Sequence, residues 1–201
     1  MESPEKRGRH WVPLLIMAVL VLCCTALFYA VPMETAEPAT VKDMPWFSVR
    51  DGVLYFDESK YSGDGLLTVP DKIGETVVAA IAPGCFRDCG TLTEIHLPDT
   101  LEAIGEDAFR GCTGLRGMKI PESVVFVGKG AFSDCSALEA ICISNKLQHF
   151  GSNALSGCNR LRYVYFLGKF QEWVPLYRDF IDPTVVISCE DGNFYQSGDP
   201  V

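Results

Sequence analysis

The chain has 201 residues, and its 26 Asp and Glu outnumber its 17 Lys and Arg, which gives a formal net charge of −9. A surface with this balance repels phosphate backbones and anionic headgroups, so the composition argues against nucleic acid as a partner. The chain also contains nine cysteines, and their placement decides between disulfides, metal ligation, a reactive thiol and simple burial.

Residues 1–10 form a basic N-terminal tail with Lys6, Arg7 and Arg9, and residues 11–31 follow without a charge. At about 1.5 Å per residue, a helix of this length crosses a hydrocarbon core of roughly 30 Å. We predict a single-pass transmembrane signal-anchor helix over residues 11–31, with the N-terminus cytoplasmic and the remainder extracellular by the positive-inside rule. The alternative is a cleaved signal peptide and a secreted protein. The apolar stretch, however, exceeds the usual apolar region of about 7 to 15 residues, and no small-x-small cleavage site follows.

Residues 32–45 are rich in Pro, Ala, Thr and Glu, which predicts an extracytoplasmic linker of limited order. Residues 46–75 are predicted to form an N-terminal β cap. Two apolar-rich runs there flank Asp51-Gly52, which is a signal for a type I′ hairpin, and Leu66–Pro70 is a candidate third strand.

A block of about 23 residues recurs over residues 76–167 and brings five apolar or thiol columns into one register. The columns are Phe86, Phe109, Phe132 and Leu155; Cys89, Cys112, Cys135 and Cys158; Leu92, Leu115, Leu138 and Leu161; Ile95, Met118, Ile141 and Val164; and Leu97, Ile120, Ile143 and Phe166. A repeat of this length predicts a solenoid, because a single coil cannot bury its own apolar face and must stack on its neighbours.

Within a coil, the segment Leu92–Pro98 alternates apolar and polar residues, which predicts one short strand per coil. On the other side of the coil, Leu101–Phe109 predicts a turn followed by a short helical or 3₁₀ segment. Gly105, Gly128 and Gly151 fit a bend that needs positive φ or close backbone approach. The predicted fold class is therefore a repeat solenoid, mainly β with short helical or 3₁₀ turns, with about four 23-residue coils and a cap at each end.

The register ends after Leu167, and residues 168–201 are predicted to form a C-terminal cap and tail. Large apolar residues suited to closing the last coil follow, namely Trp173, Pro175, Tyr177, Phe180 and Ile181. The run Val185–Ser188 is a candidate partner for the edge strand around Tyr163–Phe166.

The strings Ile104–Leu115 and Val127–Leu138 resemble the coil of the BspA-like leucine-rich repeat, which is written roughly I-G-x-x-A-F-x-x-C-x-x-L-x-x-I-x-I-P. Lys169–Trp173 and Ser188–Gly192 are similar to the terminal segment that often follows such repeats. The resemblance covers roughly residues 66–192. It implies a curved solenoid displayed on a cell surface and used for adhesion or other protein contacts, and it implies no shared catalytic residue.

The cysteine column that begins at Cys89 is interpreted as a ladder of small buried hydrophobes, since stacked neighbours about 4.8 Å apart point the same way and are poorly placed for a disulfide. A disulfide to Cys85 is the alternative, and Cys85-x-x-x-Cys89 is a single weak zinc pattern without a second half. Cys23 and Cys24 fall in the predicted membrane helix. The redox state of Cys85 and Cys189 stays open, as does that of Cys142.

Cys142 occupies an outward strand position, where its predicted neighbours are Lys119 and Tyr165. A cysteine nucleophile needs a base within hydrogen-bond reach. The register places His96 two coils away and His149 on the opposite limb. We therefore predict no enzyme, and an intermolecular or regulatory thiol is the sharper alternative to an incidental one.

The outward strand positions define the candidate partner-binding face: Glu94, His96, Lys119, Cys142, Tyr163 and Tyr165. Exposed tyrosines on a rigid strand are enriched at interfaces, although they also serve to cover a last coil. No motif for a catalytic residue, a cofactor or a metal is found.

We predict a membrane-anchored, surface-exposed leucine-rich repeat protein that mediates protein-protein interaction or adhesion through its solenoid, with a protein or surface-polymer ligand of unknown identity. The alternatives are a structural or sensory envelope protein whose anchor recruits partners, and an enzyme that uses exposed Cys142.

Overall fold

The computed structural model describes residues 44–177, 184–195 and 198–201, and over these ranges the chain winds into a mainly β solenoid of about five turns. Each turn carries a longer strand on one side and a two-residue strand on the other, so two sheets face each other across the core. The predicted solenoid is confirmed, and the number of coils is corrected from about four to about five.

One sheet system collects the longer strands, and they are β3 (Leu66–Thr68), β7 (Glu94–His96), β9 (Gly117–Lys119), β11 (Ala140–Ser144), β13 (Tyr163–Leu167) and β14 (Val186–Cys189). β3 pairs with β7, and β9, β11, β13 and β14 pair in that order, all in parallel; β15 (Gly192–Phe194) closes the row antiparallel to β14. β7 and β9 lie side by side, with the Arg116 amide 3.4 Å from the Thr93 carbonyl. The longer strand of each coil is the one that was predicted, whereas the two-residue strand on the other side of the coil was not predicted. The predicted C-terminal strand paired with the last coil is confirmed.

The second sheet runs β1-β2-β6-β8-β10-β12 and begins with an antiparallel hairpin. Its strands are β1 (Phe47–Arg50), β2 (Val53–Phe56), β6 (Ala80–Ile81), β8 (Ala103–Ile104), β10 (Phe126–Val127) and β12 (His149–Phe150). In the hairpin, Asp51 and Gly52 have φ of 52° and 79°, as a type I′ turn requires, so the predicted turn is confirmed. On the N-terminal side of the repeats, β2 pairs with β6 in the second sheet and β3 pairs with β7 in the first.

Four smaller elements complete the described chain. Glu58–Lys60 forms a 3₁₀ turn after the hairpin, and β4 (Lys72–Ile73) pairs antiparallel with β5 (Thr76–Val77). Helix α1 (Phe170–Tyr177) follows the last repeat strand.

The predicted helical or 3₁₀ segment after residue 101 is wrong. The chain there forms the two-residue strand β8 and then a series of turns. The amides of Arg110 and Cys112 bond three residues back, but the alternate amides of Phe109 and Gly111 donate to the next coil, at 2.7 and 2.8 Å. Since half of the donors serve the neighbouring coil, no continuous helix forms, and the turns add a third line of hydrogen bonds between coils.

Gly105, Gly128 and Gly151 are explained by the close approach of the preceding coil, and none of them has a positive φ. A Cβ on Gly105 would lie 2.7 Å from the Ile81 carbonyl oxygen, and one on Gly128 would lie 2.5 Å from the Glu106 amide nitrogen. A side chain at these positions would push adjacent coils apart, which explains why the narrow coil carries glycine there.

The core is a continuous apolar interior built from the predicted columns. The fully buried rings of Phe86, Phe109 and Phe132 stack with centroids 5.0 and 5.3 Å apart and planes within 7° and 4°. In the N-terminal cap, the Phe56 ring packs against Phe86 with centroids 4.9 Å apart and planes tilted by 36°. At the other end, buried Trp173 meets Phe166 edge-on at 5.5 Å, so the last coil is closed by α1 as predicted for Trp173.

The predicted basic tail, membrane helix 11–31 and linker up to residue 43, with Cys23 and Cys24, lie outside the described residues, as do Phe180 and Ile181. Within the described ranges, none of the helices has the length and apolarity that a bilayer crossing needs.

Candidate interaction face

The strand face is the outward side of the sheet system formed by β3, β7, β9, β11, β13 and β14. Parallel registration places Lys119, Cys142 and Tyr165 in one row and Gly117, Ala140 and Tyr163 in the next. Glu94 and His96 lie on β7, beside the first of these strands. All six residues predicted for the partner-binding face therefore lie on one surface, and their role in binding stays a prediction.

The N-terminal part of the strand face carries an acid-base pair. His96 Nε2 lies 3.0 Å from Glu94 Oε1, and both side chains are more than a third exposed. An exposed pair of this kind contributes little to stability because solvent screens it. It does fix the direction of two polar side chains that a ligand would meet.

The C-terminal part of the strand face is aromatic. The rings of Tyr163 and Tyr165 stack with centroids 6.1 Å apart, and Tyr163 is 44% exposed. Beneath them Val164 and Phe166 are buried, so the rings stand on a fixed strand. Tyr165 is half-buried, so the exposed ring of Tyr163 provides most of the contact area, and because it is held in place it does so at a low cost in conformational entropy.

Between these two parts, one row of the face carries only the small residues Gly117 and Ala140. A Cβ built on Gly117 would meet no atom within 4 Å, and Gly117 is in register with Ala140, which is in register with Tyr163. The six residues predicted for the face do not include Gly117 and Ala140, and the gap that these two leave was missed. The signal was present in the repeat, because Glu94 and Tyr163 at the equivalent positions carry large side chains.

Cys142 lies on β11 directly between Lys119 and Tyr165, as predicted, but it is half-buried and not fully exposed as expected. His149 lies on β12 in the opposite sheet, and His96 lies two strands away. Among the described residues, no group of three or more His, Cys, Asp or Glu has the arrangement of a metal site.

Cys89, Cys112 and Cys135 of the cysteine ladder are buried as predicted, whereas Cys158 is partly buried. The ladder thiols also form hydrogen bonds between coils. Cys112 Sγ donates to the Phe86 carbonyl at 3.0 Å, and Cys135 Sγ donates to the Phe109 carbonyl at 3.1 Å, each in the preceding coil. Cys158 Sγ does the same for Phe132 at 3.2 Å. The described cysteines are all free thiols, so the alternative disulfide to Cys85 is not formed.

Burial makes these thiols poor nucleophiles. It raises the pKa of Cys89 and of Cys158 to about 12, and hydrogen bonding with Cys135, together with burial, also raises the pKa of Cys112. Burial likewise raises the pKa of Cys85 and of Cys189 to about 12. A thiol that stays protonated at neutral pH attacks slowly, so these residues are structural.

The outward side of the second sheet also carries an aromatic pair, which sequence reasoning missed. The rings of Phe126 and His149 stack at 4.7 Å, with Phe126 43% exposed and Val125 next to it 36% exposed. The 23-residue offset between the two residues could have revealed their contact. This pair provides a chemically matched comparison for the tyrosines of the strand face.

Comparison with known proteins gives a family model and several solved structures. Residues 79–173 match the model described as BspA type Leucine rich repeat region, in six copies. No curated protein matches the chain. A leucine-rich repeat protein from Bacteroides capillosus ATCC 29799 is similar at 26% identity and a TM-score of 0.53, over 61% of this chain and 93% of that one.

The comparison also finds two further solved structures. The pneumococcal vaccine antigen PcpA matches at 23% identity and a TM-score of 0.53, over 74% of this chain and 43% of that one. The T. pallidum leucine-rich repeat protein matches at 24% identity and a TM-score of 0.48, over 59% of this chain and 67% of that one. The chain thus spans less than half of the pneumococcal antigen.

Proposed function

Residues 79–173 are BspA-type leucine-rich repeats, and from this premise we propose that the chain is a membrane-anchored, surface-exposed protein that binds a protein or surface-polymer ligand through its strand face. The observation that carries the proposal is the stacked ring pair of exposed Tyr163 and half-buried Tyr165, on a strand whose inward residues are buried. Aromatic residues on rigid elements dominate the energetics of many interfaces.

The difference between the inward and the outward residues of the strands supports this function. Inward residues such as Ile141 and Val164 are fully buried and hold the coils together, whereas the outward residues on the same strands differ from coil to coil. Outward positions can therefore change chemistry without opening the core. A scaffold of this kind suits recognition, and no catalytic role is proposed for Cys142.

Anchoring is proposed from residues 1–45. The uncharged stretch 11–31 would cross the membrane with Lys6, Arg7 and Arg9 on the cytoplasmic side, and residues 32–45 would tether the repeats outside. In cells that express the chain, added protease should then digest the repeats while an N-terminal epitope tag stays protected. A product released into the medium without residues 1–31 would support the signal-peptide alternative instead.

The binding test compares the full-length chain with two double variants. Tyr163→Ser with Tyr165→Ser removes the ring pair of the strand face, and Val125→Ser with Phe126→Ser removes similar exposed apolar area from the opposite sheet. For a ligand captured from the cell exterior, we expect the tyrosine variant to lose about tenfold or more in affinity. We expect the matched variant to bind like the parent.

Equal losses in the two variants, or no loss in the tyrosine variant, would contradict the proposed face. A fragment of residues 46–201 addresses the anchor separately. If the fragment captures nothing that the full chain captures, the anchor carries recognition, as in a structural or sensory envelope protein.

A further inference from the structure

We propose that the joint between β7 and β9 is a hinge at which the strand face opens and closes. These strands belong to two successive repeat coils, and within the described residues no ladder of hydrogen bonds joins them. The other neighbouring strands of the row are paired in parallel, namely β3 with β7, β9 with β11, β11 with β13, and β13 with β14. The open joint, which we call the seam, therefore interrupts an otherwise paired row.

The hydrogen bond that remains at the seam is long. The Arg116 amide lies 3.4 Å from the Thr93 carbonyl oxygen. The equivalent amides of Glu139 and Arg162, at the next two joints, lie 2.8 and 2.9 Å from the carbonyl oxygens of the preceding coils. Backbone bonds are strongest near 2.9 Å, so the strands at the seam are held more weakly than their neighbours.

Leu97 shows the same opening in its packing. Ile120, the equivalent residue of the next coil, is buried and donates its amide to the Cys142 carbonyl at 3.0 Å. The Leu97 amide donates to no group among the described residues, and the Leu97 side chain is only partly buried. Apolar packing thus loosens at the same joint at which the hydrogen bonds are lost.

The other two lines of hydrogen bonds between these coils are intact. In the turns, the amides of Phe86 and Asp88 donate to the carbonyls of Ala108 and Arg110, both at 2.7 Å. In the second sheet, β6 pairs with β8 in parallel. The rings of Phe86 and Phe109 also stack across this joint, with centroids 5.0 Å apart. The two coils are therefore held on two sides and open on the third, which is the geometry of a hinge.

The seam is the joint that should open at the lowest free energy. The stability of a repeat protein is roughly a sum of terms for each coil and each joint, and this joint lacks most of one line of bonds. The sequence supplies one cause, because Gly117 begins β9 and a glycine in a strand adds backbone entropy without a side chain to pack. Close approach does not require glycine there, since a Cβ on Gly117 would meet no atom within 4 Å.

The seam crosses the candidate partner-binding face. Glu94 and His96 lie on β7, and the other predicted residues, from Lys119 to Tyr165, lie on β9, β11 and β13 beyond it. Rotation at the hinge changes the distance between these two groups, whereas ladders fix the spacing within the second group. A partner that contacts both groups would hold the seam at one opening. The hinge itself does not depend on which ligand the face binds.

Hydrogen exchange of the full-length chain, without a ligand, tests the seam. We expect the amides of Leu97 and Arg116 to exchange at least about tenfold faster than those of Ile120 and Glu139, their equivalents in the next coil. Equal exchange rates would overturn the inference, because the strands at the seam would then be as firmly paired as their neighbours.

Exchange in the turns separates a hinge from fraying of the first coil. The amides of Phe86 and Asp88 should exchange as slowly as those of Phe109 and Gly111, since both pairs donate to the next coil at 2.7 or 2.8 Å. If Phe86 and Asp88 exchange as fast as Leu97, the coil unfolds as a whole and no hinge exists.

Nitroxide pairs measure the motion itself. Asp99, Glu122 and Asn145 are exposed and occupy equivalent positions in three successive coils. In a Cys142→Ser background, we expect labels on Asp99→Cys with Glu122→Cys, across the seam, to give a distance distribution about twice as wide as labels on Glu122→Cys with Asn145→Cys. Equal widths in the dipolar spectra would show that the seam does not move.

A substitution at the seam should close it. Gly117→Thr adds a β-branched side chain where the fold has space, and we expect it to slow exchange of the Arg116 amide about fivefold and to narrow the distribution across the seam. Ala140→Thr, at the intact joint, is the matched control and should leave both readouts at the seam unchanged. Unchanged readouts in Gly117→Thr, or equal changes in both variants, would overturn the inference. These tests use no ligand, so their failure is distinguishable from that of the proposed function.

Discussion

The Oδ1 atom of Asp107 occupies the space into which a side chain on Gly130, one coil further along, would have to extend. Asp88 stands in the same relation to Gly111, and Asp134 to Gly157. These residues occupy left-handed positions, for example φ of 53° at Asp107 and 62° at Gly130. Each acidic side chain therefore requires a glycine on the coil that follows it.

We predict that Gly130→Ala destabilises the solenoid more than Gly84→Ala does. Both glycines have φ of 62°, so both substitutions incur the cost of a left-handed alanine, about 1–2 kcal/mol. A Cβ on Gly84 meets only Arg87 Cβ at 3.9 Å, whereas a Cβ on Gly130 meets the Asp107 carboxylate. Denaturant unfolding of both variants measures the difference.

The contact itself is isolated by a double-mutant cycle. In an Asp107→Gly background the carboxylate is absent, so Gly130→Ala should cost about as much as Gly84→Ala does in the parent. Additive free energies of unfolding in this cycle would show that Asp107 and Gly130 are not coupled.

A second prediction concerns the phenylalanine stack. Phe109 is fully buried between Phe86 and Phe132, so Phe109→Ala opens a void and should lower the free energy of unfolding by about 3–5 kcal/mol. Phe126→Ala removes the same atoms from a side chain that is 43% exposed and should cost far less. Equal melting temperatures for the two variants would contradict an interior that runs along the Phe86–Phe132 column.

The apolar interior was predictable from the sequence because its residues recur at a strict spacing from coil to coil. Phe109 and Phe132 repeat at the same offset as Leu115 and Leu138, and side chains of one type at a fixed offset can only meet by stacking. The first coil was missed for the opposite reason. Leu67 pairs with Ile95 at an offset of 28 residues, since the β4–β5 hairpin lengthens that coil and takes it out of register.

Two features could not be predicted from the sequence of one coil, because they depend on contacts between neighbouring coils. The segment after Leu101 resembles a helix in its apolar spacing, but Phe109 and Gly111 give their amides to the next coil. The alternation of Asp107 with Gly130 was also missed, because residues of different type at one repeat position do not form a visible column. For the candidate site, the position of each residue on the face was predictable, whereas the open space at Gly117 depends on what the neighbouring residues leave empty.

Thiol labelling provides a third prediction. In the folded protein, an alkylating reagent at neutral pH should modify Cys142 before Cys112, Cys135 or Cys189. Cys142 is half-exposed on the strand face, whereas the other three are buried, and the pKa of Cys112 and of Cys189 is raised. Peptide mass mapping identifies the modified residue, and denaturant should make all sites react. Early labelling of Cys135 would show that the ladder is accessible.

Alkaline pH provides a fourth prediction. Cys85, Cys158 and Cys189 ionise near pH 8.5 in an unfolded chain, but burial raises each folded-state pKa to about 12. Between these values the folded state holds more protons, so its stability is full below about pH 8.5 and falls as the pH rises towards 12. The slope is at most about 1.4 kcal/mol per pH unit for each thiol.

Denaturant unfolding under reducing conditions from pH 8 to pH 11 measures this slope. Other groups also titrate in this range, so the relevant quantity is the difference between the parent and Cys158→Ala. The variant should lose stability less steeply with pH, even though it is less stable at pH 8. Parallel curves would show that the Cys158 thiol does not link folding to protons.

The last prediction concerns the edge of β3 that faces away from β7. There Tyr61 Oη donates to the Leu66 carbonyl at 2.9 Å, and the Leu66 amide donates to Asp64 Oδ1 at 3.3 Å. Side chains thus occupy backbone groups through which another strand could pair, which is how native sheets limit edge-to-edge association.

Tyr61→Phe with Asp64→Ala frees both groups while the Phe ring keeps the contacts with Trp46 and Phe56. We expect this variant to self-associate at concentrations at which the parent does not, as measured by sedimentation velocity. The matched variant Tyr55→Phe alters a hydroxyl in the N-terminal hairpin and should sediment like the parent; identical sedimentation of all three proteins would mean that these side chains do not protect the edge.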